Sequence, residues 1–379
     1  MSKVSTCYYD NQYNHQRIKH ELNRIDPNHP KFIQTLQKCI QCTVSEPGIQ
    51  TQSYEFSFPN EIGIVNFTAY QIQQFNKLKQ LQSINHKQIQ SIMSQEFHKI
   101  RNQGNSESMF YQSKCKFMYI KSLKQNELQN MLTFLTEYMI YMQQHPNTFL
   151  PRYLGMYTIK YNPNLETQTK YHFIIMTNWF YSIHQPILKF DLKGSQLNRS
   201  RIHQDHYTAI EIWKRVCEGD MVDIVLKEND LMELDLNSDF IFLDFNIQTT
   251  LRILNQLKSD INLLQLYRFM DYSFVIGIHF INQGDHRVTI DSSPKDRSEF
   301  KKDEGGLRNK DRVYFFGLVD ILQEYGVVKK VERGLKRTRS FMGEVLNGTD
   351  GGLEVSVEEP VRYGSRLFHY VKNRFCSHI

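Results

Sequence analysis

The chain has 379 residues, is 40% hydrophobic and 13% aromatic, and carries a formal net charge of +6. That length and apolar content exclude a disordered or fibrous chain and suit one large domain or two lobes. The mild basic excess is compatible with an anionic partner, whether nucleic acid, a membrane or a phosphorylated substrate.

The N-terminal MSKVSTCYYD lacks the apolar run of a signal peptide, and no stretch of about 18 apolar residues is available to span a bilayer. Six cysteines without a signal point to reduced thiols in the cytosol. Cys39 and Cys42 form a lone CxxC, which reads as chance spacing rather than a zinc site. Residues 1–50, rich in Asn, Gln and His, are expected to form a loosely ordered arm or an edge element. Farther on, Ile72, Phe75 and Leu78 keep a helical rhythm under a polar surface.

The stretch GNSESMFYQ, with Gly104, Ser106 and Ser108, reads either as a phosphate-covering turn or as a plain hairpin. KCKFMYIK alternates as a half-buried strand, with Phe117, Tyr119 and Lys121 on one face and Met118 and Ile120 on the other. Lys121 is then either a point charge for nucleotide phosphates or a solvated strand-end lysine. Asn126, with Gln129 three residues later, predicts the start of a helix that Pro146 closes. LGMYTIK and YHFIIMTN predict two strands, followed by a connector near Asn178. A sheet-plus-helix lobe before the connector and a larger mixed lobe after it would suit an active site in a cleft between them.

FDLKGSQLNR, from Phe190 to Arg199, contains the Asp-Leu-Lys of a protein-kinase catalytic loop. Position 196 is Gln where such a loop has its metal-binding Asn, and no DFG-like triplet follows Asp191 at a kinase-like distance. Asp244-Phe245-Asn246 and His203-Gln204-Asp205 imitate other kinase triplets and read as surface polar residues. Ile247, Leu251, Leu254, Leu257, Ile261 and Leu264 mark a second long helix leading into the buried strand DYSFVIGIHF. Residues 282–312 read as a mobile insertion, followed by the apolar run VYFFGLVDIL.

Asp271 and Asp320 lie against apolar runs, where a carboxylate is costly unless paired or metal-bound. They fit a phosphoryl-transfer pair, one for the hydroxyl proton and one for Mg²⁺, and equally strand caps or structural ion pairs. VVKKVERGLKRTRS, from Val327 to Ser340, sets Lys329, Lys330, Arg333, Lys336, Arg337 and Arg339 against Glu332. An amphipathic basic stretch of this kind lies well on anionic lipid, with a solvated helix or a nucleic-acid patch as alternatives. No aromatic platforms accompany it, which argues against nucleic acid. A final helix is expected from about Pro360.

Five of these stretches together resemble the phosphatidylinositol-phosphate kinase family, over roughly residues 53–375. They are KFMYIKSL, HPNTFLPRYLGMY, DLKGS (191–195), MDYSF (270–274) and GLVDILQEY (317–325). The resemblance implies an α+β, two-lobed lipid-kinase fold with antiparallel sheets and an interlobe cleft. It implies an N-terminal lobe over 51–180 and a C-terminal lobe over 181–379, with a basic specificity loop at about 327–356. Lys121, with the turn of Gly104, Ser106 and Ser108, would bind ATP; Asp271 would act on the attacking hydroxyl and Asp320 would hold Mg²⁺. Lys193 and Arg199 would face the phosphate already on the inositol ring.

Lys329, Lys330 and Glu332 match the KKxE of enzymes that make phosphatidylinositol 4,5-bisphosphate from phosphatidylinositol 4-phosphate, a pattern shared with some 3-phosphate 5-kinases. There Glu332 would pair with Arg199 through a carboxylate–guanidinium fork. The family further implies attachment to the cytosolic face of an anionic membrane, the plasma membrane foremost, and a homodimer. Glu107 departs from the pattern, standing where the family has a second glycine. It motivates the alternative of a catalytically dead phosphoinositide-binding scaffold.

Overall fold

A computed structural model describes residues 30–43, 50–58, 63–100, 108–161, 169–202, 204–220, 222, 224–237, 243, 245–281, 306–325 and 359–376. The chain divides into two compact units, Met1–Gln144 with Arg152–Asn178, and His145–Pro151 with Trp179–Ile379.

The first unit is built on a seven-stranded sheet, ordered β1-β2-β6-β7-β5-β4-β3, in which every neighbouring pair is antiparallel. Its strands are β1 (Gln52–Phe58), β2 (Gly63–Ala69), β3 (Phe97–Ile100), β4 (Phe110–Ser113), β5 (Met118–Leu123), β6 (Tyr153–Tyr161) and β7 (Thr169–Thr177). Its helices are α1 (Pro30–Thr43), α2 (Ile72–Leu81), α3 (His86–Met93) and α4 (Gln125–Gln144).

Of the arm expected over residues 1–50, residues 30–43 are corrected, because they form α1 and belong to the core; residues 1–29 and 44–49 lie outside the described set. Phe32, Leu36, Cys39 and Ile40 recur at helical spacing and are fully buried. The Phe32 ring centroid lies 5.5 Å from that of Tyr161 and 5.7 Å from that of Phe173. Gln37 Nε2 donates to the carbonyls of Met93 and Gln95, each at 2.7 Å, tying α1 to the end of α3. The sequence hid this because the glutamines that tie the helix down also give it a disordered composition. Cys39 is buried inside α1 and Cys42 is exposed. Among the described residues no group of three or more metal-binding side chains occurs.

The start of α4 is also corrected. The helix begins at Gln125, and the Lys124 N–H donates to Glu127 Oε2 at 2.7 Å. Glu127, rather than Gln129 acting on Asn126, therefore satisfies the orphan amide at the helix start.

The second unit holds a four-stranded antiparallel sheet, ordered β10-β11-β9-β8. Its strands are β8 (Leu188–Leu192), β9 (Ser273–Phe280), β10 (Leu307–Asn309) and β11 (Arg312–Val319). Its described helices are α5 (Ala209–Glu218), α6 (Glu228–Asn237), α7 (Ile247–Leu266) and α8 (Pro360–Cys376). β9 and β11 are buried along most of their length, so they read as continuous apolar runs rather than alternating ones. Phe274 and Phe316 stack across them with centroids 5.8 Å apart.

The insertion expected over 282–312 ends earlier than the composition suggested. Residues 307–309 already form β10 and turn back into β11, with Asn309 opposite Arg312; residues 282–305 lie outside the described set. In the Asp244-Phe245-Asn246 triplet, Asp244 lies outside the described residues, Asn246 is exposed as expected of a surface polar residue, and Phe245 is half-buried. Asn246 caps α7 by accepting from Thr249 N at 2.8 Å, and the Phe245 ring lies 4.7 Å from that of Tyr314. In the other imitation, Asp205 pairs with Arg201 at 2.9 Å. No described helix is long and apolar enough to cross a membrane.

Candidate active site

In the first unit, β5 carries Lys121. Met118 and Ile120 are fully buried on one face of the strand, as the alternation requires. Lys121 on the other face is only 6% exposed, so it is not a solvated strand-end lysine. Its Nζ lies 3.4 Å from Glu127 Oε1 and 5.7 Å from the centroid of the Phe110 ring, which is directly opposite across β4. The first turn of α4 thus supplies the counter-charge for the strand lysine, and an ammonium so anchored has a fixed direction.

β3 and β4 pair with Ile100 opposite Phe110, so the stretch holding Gly104 and Ser106 links a hairpin. Those two residues and Glu107 lie outside the described set. Ser108 is described; beside it, Met109 N donates to Ser122 Oγ at 2.8 Å, fixing the hairpin against β5.

In the second unit three neighbouring strands end together. Leu192 pairs with Phe274 and Ser273 pairs with Val319. Lys193 follows β8, Asp271 precedes β9 and Asp320 follows β11, so antiparallel pairing puts all three at one end of the sheet. The pairing continues past the strands: Met270 N donates to Gln323 O at 2.9 Å and Tyr325 N to Arg268 O at 3.0 Å. Both acids sit on left-handed backbone, with φ 65° at Asp271 and 59° at Asp320. Asp tolerates this conformation better than most residues, though it is sparsely populated and tends to mark functional positions. Lys193 Nζ donates to Asp271 Oδ1 at 2.6 Å and to the Asp271 carbonyl at 2.8 Å.

Behind this pair lies a network that local sequence reading missed. The segment leading into α6 runs beside β8, with Asp191 N donating to Leu226 O at 2.8 Å and Leu226 N to Lys189 O at 2.9 Å. It delivers two fully buried acids, Glu228 and Asp230. Glu228 accepts from the amides of Lys193, Gly194 (2.8 Å) and Ser195 (3.4 Å) and from Arg199 Nε (2.6 Å). Asp230 accepts from Ser200 Oγ at 2.6 Å and from the amides of Arg201, Ile202 and Lys227.

Arg199, 8% exposed, also donates to the Asp191 carbonyl and, at 2.7 Å, to Asp191 Oδ1. Burial works against its charge, but Glu228 and Asp191 outweigh it and raise its pKa. Burial pushes the Asp191 carboxyl up, and the Arg199 and Lys193 cations outweigh that and hold it below the usual carboxylate range.

The Arg199–Glu332 pairing expected from the sequence meets this finding directly. Arg199 is engaged by two acids of its own unit, while Glu332, with Lys329 and Lys330, lies outside the described residues. Nothing local foretold Glu228, whose partners stand about thirty residues upstream. For Glu127 a signal existed: an acid in the first turn of the helix that follows the lysine strand.

The sequence has relatives. A family model described as Phosphatidylinositol-4-phosphate 5-Kinase matches residues 91–374. The chain is 26% identical over 292 residues to a phosphatidylinositol 4-phosphate 5-kinase of Plasmodium falciparum, covering 72% of this chain and 15% of that protein. It is 25% identical over 333 residues to phosphatidylinositol 4-phosphate 5-kinase its3 of Schizosaccharomyces pombe, covering 71% of this chain and 40% of that protein. It is also 23% identical over 371 residues to phosphatidylinositol 5-phosphate 4-kinase type-2 gamma of Xenopus tropicalis, with 86% and 80% covered. The chain therefore spans less than half the length of the first two of these relatives. With most of its length matched by the family model, the chain belongs to the phosphatidylinositol-4-phosphate 5-kinase family.

Proposed function

We propose that the protein is a lipid kinase that transfers the γ-phosphate of ATP to the 5-hydroxyl of phosphatidylinositol 4-phosphate, giving phosphatidylinositol 4,5-bisphosphate. The observation that carries this reading is the convergence of Lys193, Asp271 and Asp320 at one end of the four-stranded sheet, with Lys193 in contact with Asp271.

In phosphoryl transfer the protein mainly positions groups and neutralises charge. Asp271 accepts the proton of the attacking hydroxyl, which requires an ionised carboxylate of fixed direction. Lys193 supplies that direction through its two donations, and it places a positive charge beside the phosphate already on the inositol ring. Arg199 acts from behind by holding Asp191 and Glu228. Lys121, anchored by Glu127, grips the nucleotide phosphates, helped by the turn of Gly104, Ser106 and Ser108.

Mg²⁺ would be held by Asp320. The donor set fits this hard cation, which prefers one or two carboxylates and takes its remaining ligands from water and phosphate oxygens. When bound, it supplies charge neutralisation on the phosphates.

The basic stretch with Lys329 and Lys330 would hold the protein on an anionic cytosolic leaflet, and Glu332 supports the 4-phosphate lipid as substrate. The test presents purified protein and ATP-Mg²⁺ with vesicles containing the 3-, 4- or 5-monophosphorylated inositide, and identifies the product headgroup. Production of the 4,5-bisphosphate from the 4-phosphate lipid, abolished by Asp271→Asn, is expected. Preferred use of the 3- or 5-phosphate lipid would overturn the substrate assignment. Vesicle binding with no turnover of any of the three would replace the enzyme by a phosphoinositide-binding scaffold.

A further inference from the structure

The C-terminal helix reaches the backbone beside both members of the Lys193–Asp271 pair, at Lys193 itself and at Tyr272, the residue after Asp271. Gly194, with φ +71°, lies directly against α8: a Cβ there would sit 2.8 Å from Leu367 Cα and 3.0 Å from the Arg366 carbonyl oxygen. Both the backbone conformation and the close approach demand glycine. Arg366 Nη2 also donates to the Lys193 carbonyl at 3.4 Å.

One helical turn earlier, the fully buried Tyr363 donates its hydroxyl to the carbonyl of Tyr272, the residue after Asp271. The two rings meet edge to face with centroids 4.9 Å apart. Burial first, and the Asp271 charge second, push the Tyr363 phenol well above its ordinary pKa, so it remains a hydrogen donor. One helix thus holds the turn that carries the lysine and the turn that carries the acid.

We propose that α8 is a clamp for the reaction site, with Tyr363 and Gly194 as positioning residues that set the Lys193–Asp271 contact. The inference rests on the lipid-kinase reading above for its activity readout. Neither residue touches substrate. Each acts by fixing a backbone segment whose left-handed residue aims a reacting group.

The test compares wild type, Tyr363→Phe, Gly194→Ala and, as a control on the exposed side of α8, Asn373→Ala. Steady-state kinetics on phosphatidylinositol 4-phosphate vesicles are measured together with hydrogen exchange of the peptide covering residues 270–274. Losing one buried hydrogen bond at a site of this kind is expected to lower kcat about tenfold. KM for ATP should stay within about twofold, since a geometric fault at the reacting pair affects the transition state alone. Exchange in 270–274 should quicken in Tyr363→Phe, while Gly194→Ala should lower kcat and Asn373→Ala should match wild type.

A wild-type kcat in Tyr363→Phe would overturn the clamp, as would a lower kcat that merely tracks a loss of folded protein at the assay temperature. If the wild-type protein phosphorylates no inositide, the kinase reading fails by itself. Hydrogen exchange then decides the clamp: faster exchange at 270–274 in Tyr363→Phe sustains it and unchanged exchange overturns it.

Discussion

Replacing Glu228 by Gln would test the network that holds the candidate site. The Glu228 carboxylate is fully buried and accepts from three consecutive amides and from Arg199 Nε. Gln has the same shape but offers one acceptor oxygen and one donor nitrogen. If its oxygen faces the amides, its nitrogen opposes the Arg199 Nε–H. If it is flipped, the nitrogen opposes the amides instead. Either way a buried donor loses its acceptor and Arg199 loses one of its two carboxylates. Removing one partner of a buried ion pair costs about 3–5 kcal/mol, and because Asp191 still pairs with Arg199 the lower end applies, about 3 kcal/mol. Urea unfolding followed by tryptophan fluorescence measures this well, because both tryptophans, Trp179 and Trp213, lie in the second unit. A fall of about 3 kcal/mol at neutral pH is expected, with an unchanged denaturant slope. A loss below about 1 kcal/mol would refute the claim that this carboxylate organises the turn, since that is the scale of an ordinary exposed pair.

Two further predictions concern the first unit. Glu127→Gln removes the counter-charge of Lys121, whose Nζ lies 3.4 Å away in a poorly exposed setting. The KM for ATP should rise about tenfold while the KM for lipid stays within about twofold, and an unchanged KM for ATP would show that Lys121 needs no anchor. Lys79 is 4% exposed on the buried side of α2, and burial lowers its pKa from 10.5 to about 8. Below pH 8 the folded chain must carry this charge in the interior, at a cost of about 3 kcal/mol relative to the unfolded chain. Between pH 8 and 10.5 the folded state sheds the proton while the unfolded state keeps it, so the cost fades. Lys79→Met should therefore stabilise the protein by about 2–3 kcal/mol at pH 7 and by almost nothing at pH 10.5, as read by urea unfolding and circular dichroism. Equal stabilisation at both pH values would locate the gain in packing rather than in the buried charge.

What the sequence revealed and what it hid divide along a physical line. Strands β5, β6, β7, β9 and β11, and helices α4 and α7, were legible because each buries enough apolar surface to impose a period or an unbroken apolar run. Helix α1 was not, because composition averages over both of its faces and the Gln-rich face dominated the count. The start of α4 at Gln125 was missed because Asn126 with Gln129 imitates a capping pair, and only the placement of Glu127 beside both the Lys124 amide and Lys121 shows which acid caps the helix.

The candidate site divides along the same line. Asp271 and Asp320 could be singled out because an acid against an apolar run is a local anomaly, visible without knowing its partner. What joins them, the placing of Ser273 opposite Val319, is a property of strand register. A shift by one residue would turn every side chain of one strand to the other face of the sheet and move Asp320 along the strand direction relative to Asp271. The aromatic stacking of Phe274 on Phe316 is one of the contacts that fixes this register. Glu228 and Asp230 offer no comparable anomaly. Acids at the start of a helix are common and stabilising there, so nothing in their own segment distinguishes a helix-start acid on the surface from one buried against backbone amides far upstream. In this chain the candidate site acids Asp271 and Asp320 are legible because the core they interrupt is local in sequence, whereas Glu228 and Asp230 are not, because the donors that justify their burial come from another segment.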